Sequence, residues 1–276
     1  MKYGLSLPNG GVCGDARVLA ELGYLAEEAG WDGVFVEDYI VHQSDGAVPT
    51  CDPWIALAAI AVGTKRIRLG TSVTPLNRRR PWKVAREAVA LDQLSNGRFI
   101  LGVGSGDGGE AGFSRVNEVR DAKERAKILD EALDVIVGLW SGEPFSYDGH
   151  YFQVHEMTFL PTPVQQPRIP ILVGSSGTRM LRLVAKYADA WHTFGSPERI
   201  AERGALLNRY CDEVGRDPTE IRWSVTLGGA DLGSPDQFKR AVERYALIGA
   251  REFLIEGGHW NDVEKIAKEA LPDLRR

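Results

Sequence analysis

Residues 98–104 read RFILGVG, a nearly unbroken apolar run that ends in glycine. A run of this kind is typical of a parallel strand that is buried on both faces. Strict alternation of such runs with segments of helical spacing predicts a parallel sheet with helices between its strands. Seven more candidate strands follow the same pattern, at residues 3–8, 33–38, 67–74, 170–175, 190–195, 221–227 and 252–257.

The number of these units decides between two parallel architectures. An open doubly wound sheet would show the same alternation, but eight units in 276 residues, without an obvious linker, favour closure into a barrel. We therefore expect an α/β protein with a (β/α)8 TIM barrel, in which residues 1–276 form a single domain.

Helix starts and one long irregular stretch complete the predicted order of elements. Apolar residues recur every three or four positions after Asp121, which predicts an amphipathic helix there. Residues 141–168 are rich in proline, glycine and aromatic residues, and we expect an excursion between the fourth helix and the fifth strand, with a small hairpin through residues 145–154. Three other helices are expected to begin at a capping residue followed by proline, at Asp52-Pro53, Ser196-Pro197 and Ser234-Pro235.

Composition narrows the classes of partner. The 33 basic and 38 acidic residues give a net charge of -5 and are spread along the chain, so no basic face is offered to nucleic acid or to an anionic membrane. No apolar stretch is long enough to span a bilayer. Three cysteines without a paired spacing favour a reducing compartment. We expect a cytoplasmic protein with a small-molecule substrate.

Catalytic groups of such barrels come from the carboxyl ends of the strands. The fifth candidate strand ends in Gly174-Ser175-Ser176-Gly177-Thr178, immediately before a helix. Free backbone N–H groups at such a helix start can cradle a phosphate, which would make these five residues a cofactor-binding loop. A tight turn in which a serine caps the helix explains the same residues equally well.

A second glycine loop follows the fourth candidate strand. Gly104, Ser105, Gly106 and Asp107 belong to a formal GxGxxG pattern that ends at Gly109, but no helix opens directly after it, so the dinucleotide-binding interpretation fails. The glycines instead allow a flat cofactor to approach the backbone closely. Asp107 is a candidate active-site acid, with a solvated loop aspartate as the alternative.

The second candidate strand ends in Asp38-Tyr39. The carboxylate of Asp38 can accept hydrogen bonds from cofactor or substrate, and Tyr39 can donate a proton. A structural network at the top of the barrel is an equally good interpretation. No histidine, cysteine or acid spacing of a metal centre is present, because Phe159 stands where an HExxH motif needs its second histidine. His192, alone on its strand, is expected to be a satisfied core histidine.

Several motifs together resemble the luciferase-like flavin and deazaflavin oxidoreductases over nearly the whole chain. Each is short, but their order is specific. They are Glu28-Ala29-Gly30-Trp31-Asp32-Gly33-Val34-Phe35, Asp52-Pro53-Trp54, Ile67-Arg68-Leu69-Gly70-Thr71, Arg79-Arg80-Pro81-Trp82, Gly97-Arg98-Phe99, Phe159-Leu160-Pro161-Thr162-Pro163-Val164-Gln165 and Ile169-Pro170-Ile171-Leu172-Val173-Gly174.

This resemblance carries implications for the site. In the branch that uses coenzyme F420, a cis non-proline peptide bond ends the third strand and forms a bulge against the deazaflavin ring, and Ser72-Val73 matches that position. Asp107 matches the acid of that branch, with a shorter side chain, and residues 174–178 match its phosphate loop. Many members of the branch have Asp-His where this chain has Asp38-Tyr39, so the role of that histidine does not transfer.

The function that the resemblance implies is hydride transfer between F420 and a small organic substrate. FMN is the alternative cofactor, in a monooxygenase that uses reduced flavin and oxygen. A flavin-binding barrel without catalytic activity is a further alternative. Family members are commonly dimers, so we expect a homodimer.

Overall fold

The computed structural model describes residues 1–42, 47–175, 177–256 and 260–275. Eleven strands lie within these ranges: β1 (Lys2–Leu7), β2 (Gly33–Val36), β3 (Arg68–Thr71), β4 (Thr74–Pro75), β5 (Phe99–Gly104), β6 (Phe145–Asp148), β7 (Gln153–Met157), β8 (Ile171–Gly174), β9 (Ala190–Thr193), β10 (Arg222–Leu227) and β11 (Ala250–Glu256). The α-helices are α1 (Ala16–Glu28), α2 (Pro53–Gly63), α3 (Pro81–Leu94), α4 (Ala111–Ser114), α5 (Ala122–Leu139), α6 (Met180–Tyr187), α7 (Pro197–Val214), α8 (Pro235–Ala246), α9 (Trp260–Glu269) and α10 (Leu271–Leu274).

The main sheet closes on itself. Its strands are hydrogen-bonded in the order β3, β2, β1, β11, β10, β9, β8 and β5, and β3 then pairs with β5 through Leu69 and Phe99. The pairings are parallel throughout. The prediction of a (β/α)8 barrel is confirmed.

The third strand of the barrel is interrupted. Sequence reasoning placed one strand over residues 67–74, whereas the structure has β3 and β4 separated by a cis peptide bond between Ser72 and Val73. β4 continues along β5, with Thr74 opposite Val103. The interruption gives the carboxyl end of this strand a different backbone path from its neighbours.

The predicted helix starts are confirmed by their caps. Asp52 accepts hydrogen bonds from the N–H groups of Trp54 and Ile55 at 2.9 and 3.0 Å. Asp121 caps α5 in the same way, through two N–H groups in its first turn. Ser196 and Ser234 cap α7 and α8, each followed by a proline in the first turn. Such side chains satisfy N–H groups that have no partner within the helix.

The predicted excursion is an antiparallel hairpin of β6 and β7, which extends three residues beyond the expected end at residue 154. Glu131 on α5 fixes its turn by accepting hydrogen bonds from the N–H groups of His150, Tyr151 and Phe152 at 2.9, 2.8 and 3.2 Å. The hairpin therefore packs beside α5, whose start borders the carboxyl end of the barrel.

A small apolar cluster fills the inside of the barrel. Five of the barrel strands each contribute one buried residue, namely Phe35, Ile100, Leu172, Ala190 and Leu254. Val73 packs against this cluster from the carboxyl end. Because side chains alternate between the two faces of a strand, the residue two positions beyond each member also points inward, above the cluster.

Candidate active site

A cavity of about 670 Å³ opens at the carboxyl ends of the strands. Every strand of the barrel, or the residue directly after it, contributes to its lining. These contributors are Ser6, Glu37, Ser72, Val73, Gly104, Gly174, His192, Thr226 and Glu256. Its position agrees with that of ligand sites in other parallel barrels.

Four glycines, at positions 104, 106, 174 and 177, lie on one side of the cavity wall. A Cβ atom at Gly104 would lie 2.6 Å from Cγ2 of Val73, and one at Gly174 would lie 3.0 Å from Cγ1 of the same residue. The two glycines therefore leave the space that Val73 occupies after the cis bond. The cis Ser72-Val73 bond expected from the family resemblance is confirmed. Val73 and the adjoining backbone offer a flat surface to a ring.

The loop after β5 extends this surface. Ser105 and Gly106 line the cavity, and their carbonyl oxygens accept hydrogen bonds from Arg125 at 2.9 and 3.3 Å. Gly106 has a φ of 68°, and a Cβ atom there would lie 2.6 Å from Phe113. Both features fix the backbone of the loop at Gly106, which brings no side chain to the cavity.

The opposite half of the wall is polar. His192 lies in it, with Nδ1 3.1 Å from the Ser224 hydroxyl and Nε2 3.0 Å from the Thr226 hydroxyl. Burial lowers the pKa of His192 to about 4, so the ring is neutral at neutral pH. Both ring nitrogens have partners, as expected of a satisfied histidine, and the ring also borders the cavity.

Glu37 is the site residue that sequence reasoning missed. Its carboxylate lines the cavity, and burial followed by the negative charge of Glu256 raises its pKa to about 7. Neither Glu37 nor Glu256 has a hydrogen-bonded or ionic side-chain partner in the part of the chain that the structure describes. A carboxyl group with this pKa exchanges a proton readily at neutral pH.

Asp38, in contrast, lies outside the cavity lining. Its buried carboxylate accepts hydrogen bonds from Arg79 at 2.9 and 3.1 Å, from Arg78 at 3.1 Å and from the Thr74 hydroxyl at 2.8 Å. Since successive residues of a strand point to opposite faces, Glu37 points inward and Asp38 points away from the axis. This position does not fit the expected direct contact with cofactor or substrate, and it makes Asp38 a positioning residue for two arginines.

Tyr39 and Asp107 both line the cavity, as the sequence led us to expect. The N–H of Tyr39 donates to the side chain of Asn9 at 3.2 Å, and burial together with the charge of Glu37 raises the pKa of its hydroxyl, which therefore keeps its proton. Asp107 is exposed and accepts a hydrogen bond from the N–H of Gly109 at 2.9 Å. It can face a ligand from the rim.

The expected phosphate loop is only partly assembled as a cradle. Gly174, Ser175 and Gly177 line the cavity, whereas Thr178 does not. The N–H of Ser175 donates to the carbonyl of His192 at 2.9 Å, and its hydroxyl donates to the Gly177 carbonyl at 3.1 Å. Ser176 lies outside the described residues. The Ser175 hydroxyl therefore fixes the turn itself and does not cap α6.

Two cations at the rim were also missed by sequence reasoning. Lys123, in the first turn of α5, and Arg179, directly before α6, line the cavity without an ionic partner within the described ranges. Arg179 directly follows the loop of residues 174–178, and Lys123 lies in the first turn of α5, the long helix that comes after the other glycine loop. These positions are the sequence features from which the two cations could have been identified. Their charges favour an anionic group at the rim.

The rest of the described chain offers no metal centre. Within residues 1–42, 47–175, 177–256 and 260–275, no three histidine, cysteine or acidic side chains form a group that could hold an ion. No helix in those ranges is both long and apolar enough to cross a membrane. Cys13, Cys51 and Cys211 are all free thiols.

Several curated relatives of this chain are named F420-dependent dehydrogenases. The F420-dependent hydroxymycolic acid dehydrogenase of Mycobacterium tuberculosis is 31% identical over 79% of this chain and 66% of its own length. The F420-dependent glucose-6-phosphate dehydrogenase of Microbacterium testaceum is 36% identical over 67% of this chain and 55% of its own length. The chain thus spans about half to two thirds of the length of these relatives.

Solved structures support the fold. An F420-dependent secondary alcohol dehydrogenase in complex with an F420-acetone adduct superimposes with a TM-score of 0.87 at 18% identity, covering 100% of this chain and 99% of the other. The oxygenating constituent of a Baeyer-Villiger monooxygenase from Pseudomonas putida, in complex with FMN, gives 0.78 at 17% identity and covers 99% and 98%. The family model described as luciferase-like monooxygenase matches residues 1–269. The chain therefore belongs to the luciferase-like monooxygenase family.

Proposed function

We propose that this protein is an oxidoreductase that transfers a hydride between coenzyme F420 and a small organic substrate. The observation that carries the proposal is the cavity wall around Val73, where Gly104 and Gly174 add no side chains, in a chain that has F420-dependent dehydrogenases among its curated relatives. When bound, the deazaflavin supplies the hydride chemistry, and the protein supplies position and proton handling.

The cavity residues divide this work between them. The ring would be held by Ser72, Val73 and the backbone at residues 104–106. Gly104 and Gly106 have no side chains that would block a close approach. The anionic tail of the cofactor would lie along residues 174–178, the expected phosphate loop, of which Ser176 is outside the described part. Lys123 and Arg179 would attract this tail to the rim.

The substrate would be handled by residues on the other side of the ring. Tyr39 can donate a hydrogen bond to a substrate oxygen, and Asp107 can accept one at the rim. Asp38 would act through Arg78 and Arg79, which it holds in place. By analogy with the relatives named as dehydrogenases of a hydroxymycolic acid and of a secondary alcohol, the reacting carbon of the substrate would carry a hydroxyl.

A titration of the purified protein tests the cofactor assignment. We expect F420 to bind with micromolar affinity, followed by its fluorescence, and FMN to bind much more weakly. A Gly177→Glu variant should weaken F420 binding at least tenfold by charge repulsion, since Gly177 faces open space and tolerates a side chain. The matched Gly177→Gln variant should retain affinity. Tight FMN binding without F420 binding would refute the proposal.

FMN chemistry remains the second candidate, because the family also contains FMN-bound monooxygenases with the same fold. Oxygen consumption with reduced FMN, together with an oxygenated product, would identify it. Absence of binding by either cofactor would instead support a barrel without catalytic activity.

We further propose that the protein works in the cytoplasm as a homodimer. Three free thiols support a reducing compartment. Helix α2 supports a dimer, because it is apolar on all sides and leaves Ile55 and Val62 65% and 72% exposed. Light scattering should give twice the chain mass for the wild type, and an Ile55→Lys, Val62→Lys double variant should give a monomer. A monomeric wild type would refute the dimer.

A further inference from the structure

Two carboxylates flank one serine on the polar side of the cavity. β11, β1 and β2 are neighbours in the barrel, with Ser6 opposite Glu256 in the pairing of β1 with β11. In the pairing of β1 with β2, Leu7 lies opposite Val36, so Glu37 follows directly after the paired segment. All three polar side chains point into the cavity above the inner apolar cluster.

Two other polar groups of the cavity, His192 and Tyr39, are poor proton acceptors. His192 on β9 has both ring nitrogens occupied, and its pKa is lowered to about 4 by burial. The pKa of Tyr39 is raised by burial, so it retains its proton. The other titratable groups that face the cavity or interact with Glu37 are Glu256 at the end of β11, Asp107 after β5, Lys123 on α5, Arg179 before α6 and Cys13 after β1.

Burial is the larger cause of the raised pKa of Glu37, and the negative charge of Glu256 adds to it. A nearby negative charge disfavours the ionised form of a carboxyl group. The cations of the rim follow β5 and β8, on the opposite side of the barrel from β1, β2 and β11. No described lysine or arginine in the cavity lining therefore stands next to Glu37 to offset the charge of Glu256.

We propose that Glu37 is the catalytic residue that takes the hydroxyl proton of the substrate as its carbon loses a hydride, with Glu256 as the positioning charge. The inference rests on the proposed function. With a deazaflavin bound, the C–H hydrogen would leave with its electron pair to that cofactor, the O–H proton would go to the Glu37 carboxylate, and the carbon and oxygen would become a carbonyl. Glu37 thereby fills the acid-base role that a histidine at position 39 would otherwise serve.

The proposal also restricts the substrate. Two acids on the polar side repel a carboxylate or phosphate at the reacting carbon, so that part of the substrate is an uncharged alcohol or carbonyl. An anionic group of the substrate would have to lie at the rim, near Lys123 and Arg179.

Infrared titration of the cofactor-free protein tests the proton-holding group directly. Between pH 5 and 9, the wild type and a Glu243→Gln control, which alters an exposed glutamate on α8, should lose a protonated carboxyl band with a midpoint near 7. The band should be absent in Glu37→Gln and should move to lower pH in Glu256→Gln. Persistence of the band in Glu37→Gln would overturn the proposal.

Turnover tests the catalytic part separately. With F420 as oxidant and 2-propanol, 2-butanol or cyclohexanol as probe, Glu37→Gln should lower the rate about 10²- to 10⁴-fold, the usual contribution of a general base. Glu256→Gln should shift the acid limb of the pH profile to lower pH. F420 affinity should stay unchanged in both variants, with unfolding curves confirming that they fold.

The outcomes separate the inference from the proposed function. Loss of F420 binding in the wild type would refute the function itself. A wild type that binds F420 but oxidises none of the three alcohols would overturn the substrate class. A Glu37→Gln variant that binds F420 and retains the wild-type rate and pH profile would overturn the role of Glu37.

Discussion

Replacement of Glu37 by glutamine should change how the stability of the protein depends on pH. The pKa of Glu37 rises from its ordinary 4.5 to about 7 in the folded chain, through burial and then the charge of Glu256. The folded state therefore holds this proton more tightly than the unfolded state does. Above pH 7 the folded wild type carries a poorly solvated charge, whereas below pH 4.5 both states are protonated and no penalty exists.

The structure sets the size of this effect. At about 1.36 kcal/mol per pH unit, the rise from 4.5 to about 7 corresponds to at most about 3 to 4 kcal/mol. Glu37 is partly exposed at the cavity, so solvent reduces the penalty, and we expect about 1 to 2 kcal/mol. The wild type loses this stability as pH rises between 4.5 and 7, and the Glu37→Gln variant does not.

Urea unfolding at pH 5 and pH 8.5 measures the difference. The free energy of unfolding of Glu37→Gln minus that of the wild type should be about 1 to 2 kcal/mol larger at pH 8.5 than at pH 5, because the variant is relatively more stable at high pH. Glu243→Gln should show no such change, because Glu243 is exposed on α8. Equal differences at both pH values, or a variant that loses relative stability as pH rises, would refute the assignment of a raised pKa to Glu37.

Three other substitutions test the surroundings of the cavity. Asp38→Ala should destabilise the fold by about 3 kcal/mol in urea unfolding, since it leaves Arg79 without its carboxylate and Arg78 with Glu110 alone; a loss below 1 kcal/mol would contradict the ion-pair network. Gly104→Ala should lower F420 affinity at least tenfold in a fluorescence titration because Val73 must move, while Gly177→Ala, in open space, should not. Burial acts to raise the pKa of Glu27, but hydrogen bonds from three backbone N–H groups together lower it by more, so the net shift is downward. Wild type should therefore exceed Glu27→Gln in stability at pH 7 and lose this advantage as pH falls through the folded pKa of Glu27; an advantage that grows in acid would be inconsistent with these hydrogen bonds.

Much of the fold could be predicted because its signals are local. Aspartate or serine followed by proline marks a helix start through a short-range cap, and these starts agree with α2, α7 and α8. The apolar stripe after Asp121 identified α5 in the same way. The break between β3 and β4 carries no local signal, since nothing in the types of Ser72 and Val73 distinguishes them from other strand residues. Only the family resemblance indicated it.

The site was less predictable because a strand buried on both faces does not show which face is inward. β2 reads Gly33-Val34-Phe35-Val36, and all four residues are buried, so the sequence does not separate the barrel interior from the layer beneath the helices. Sequence reasoning chose Asp38, the carboxylate next to Tyr39 in a family motif, and passed over Glu37.

Once one inward-facing residue of β2 is known, the alternation of side chains shows which other residues face the barrel interior. Phe35 lies in the inner cluster, which makes Glu37 inward and Asp38 outward, where Arg78 and Arg79 neutralise it. Leu254 fixes Glu256 in the same way on β11. Two adjacent acids thus have opposite electrostatic settings: the outward one forms ion pairs with two arginines, and the inward one lies near another carboxylate. The chemistry of the cavity depends on which of these two acids faces inward, and a one-residue shift in the register of β2 would exchange them.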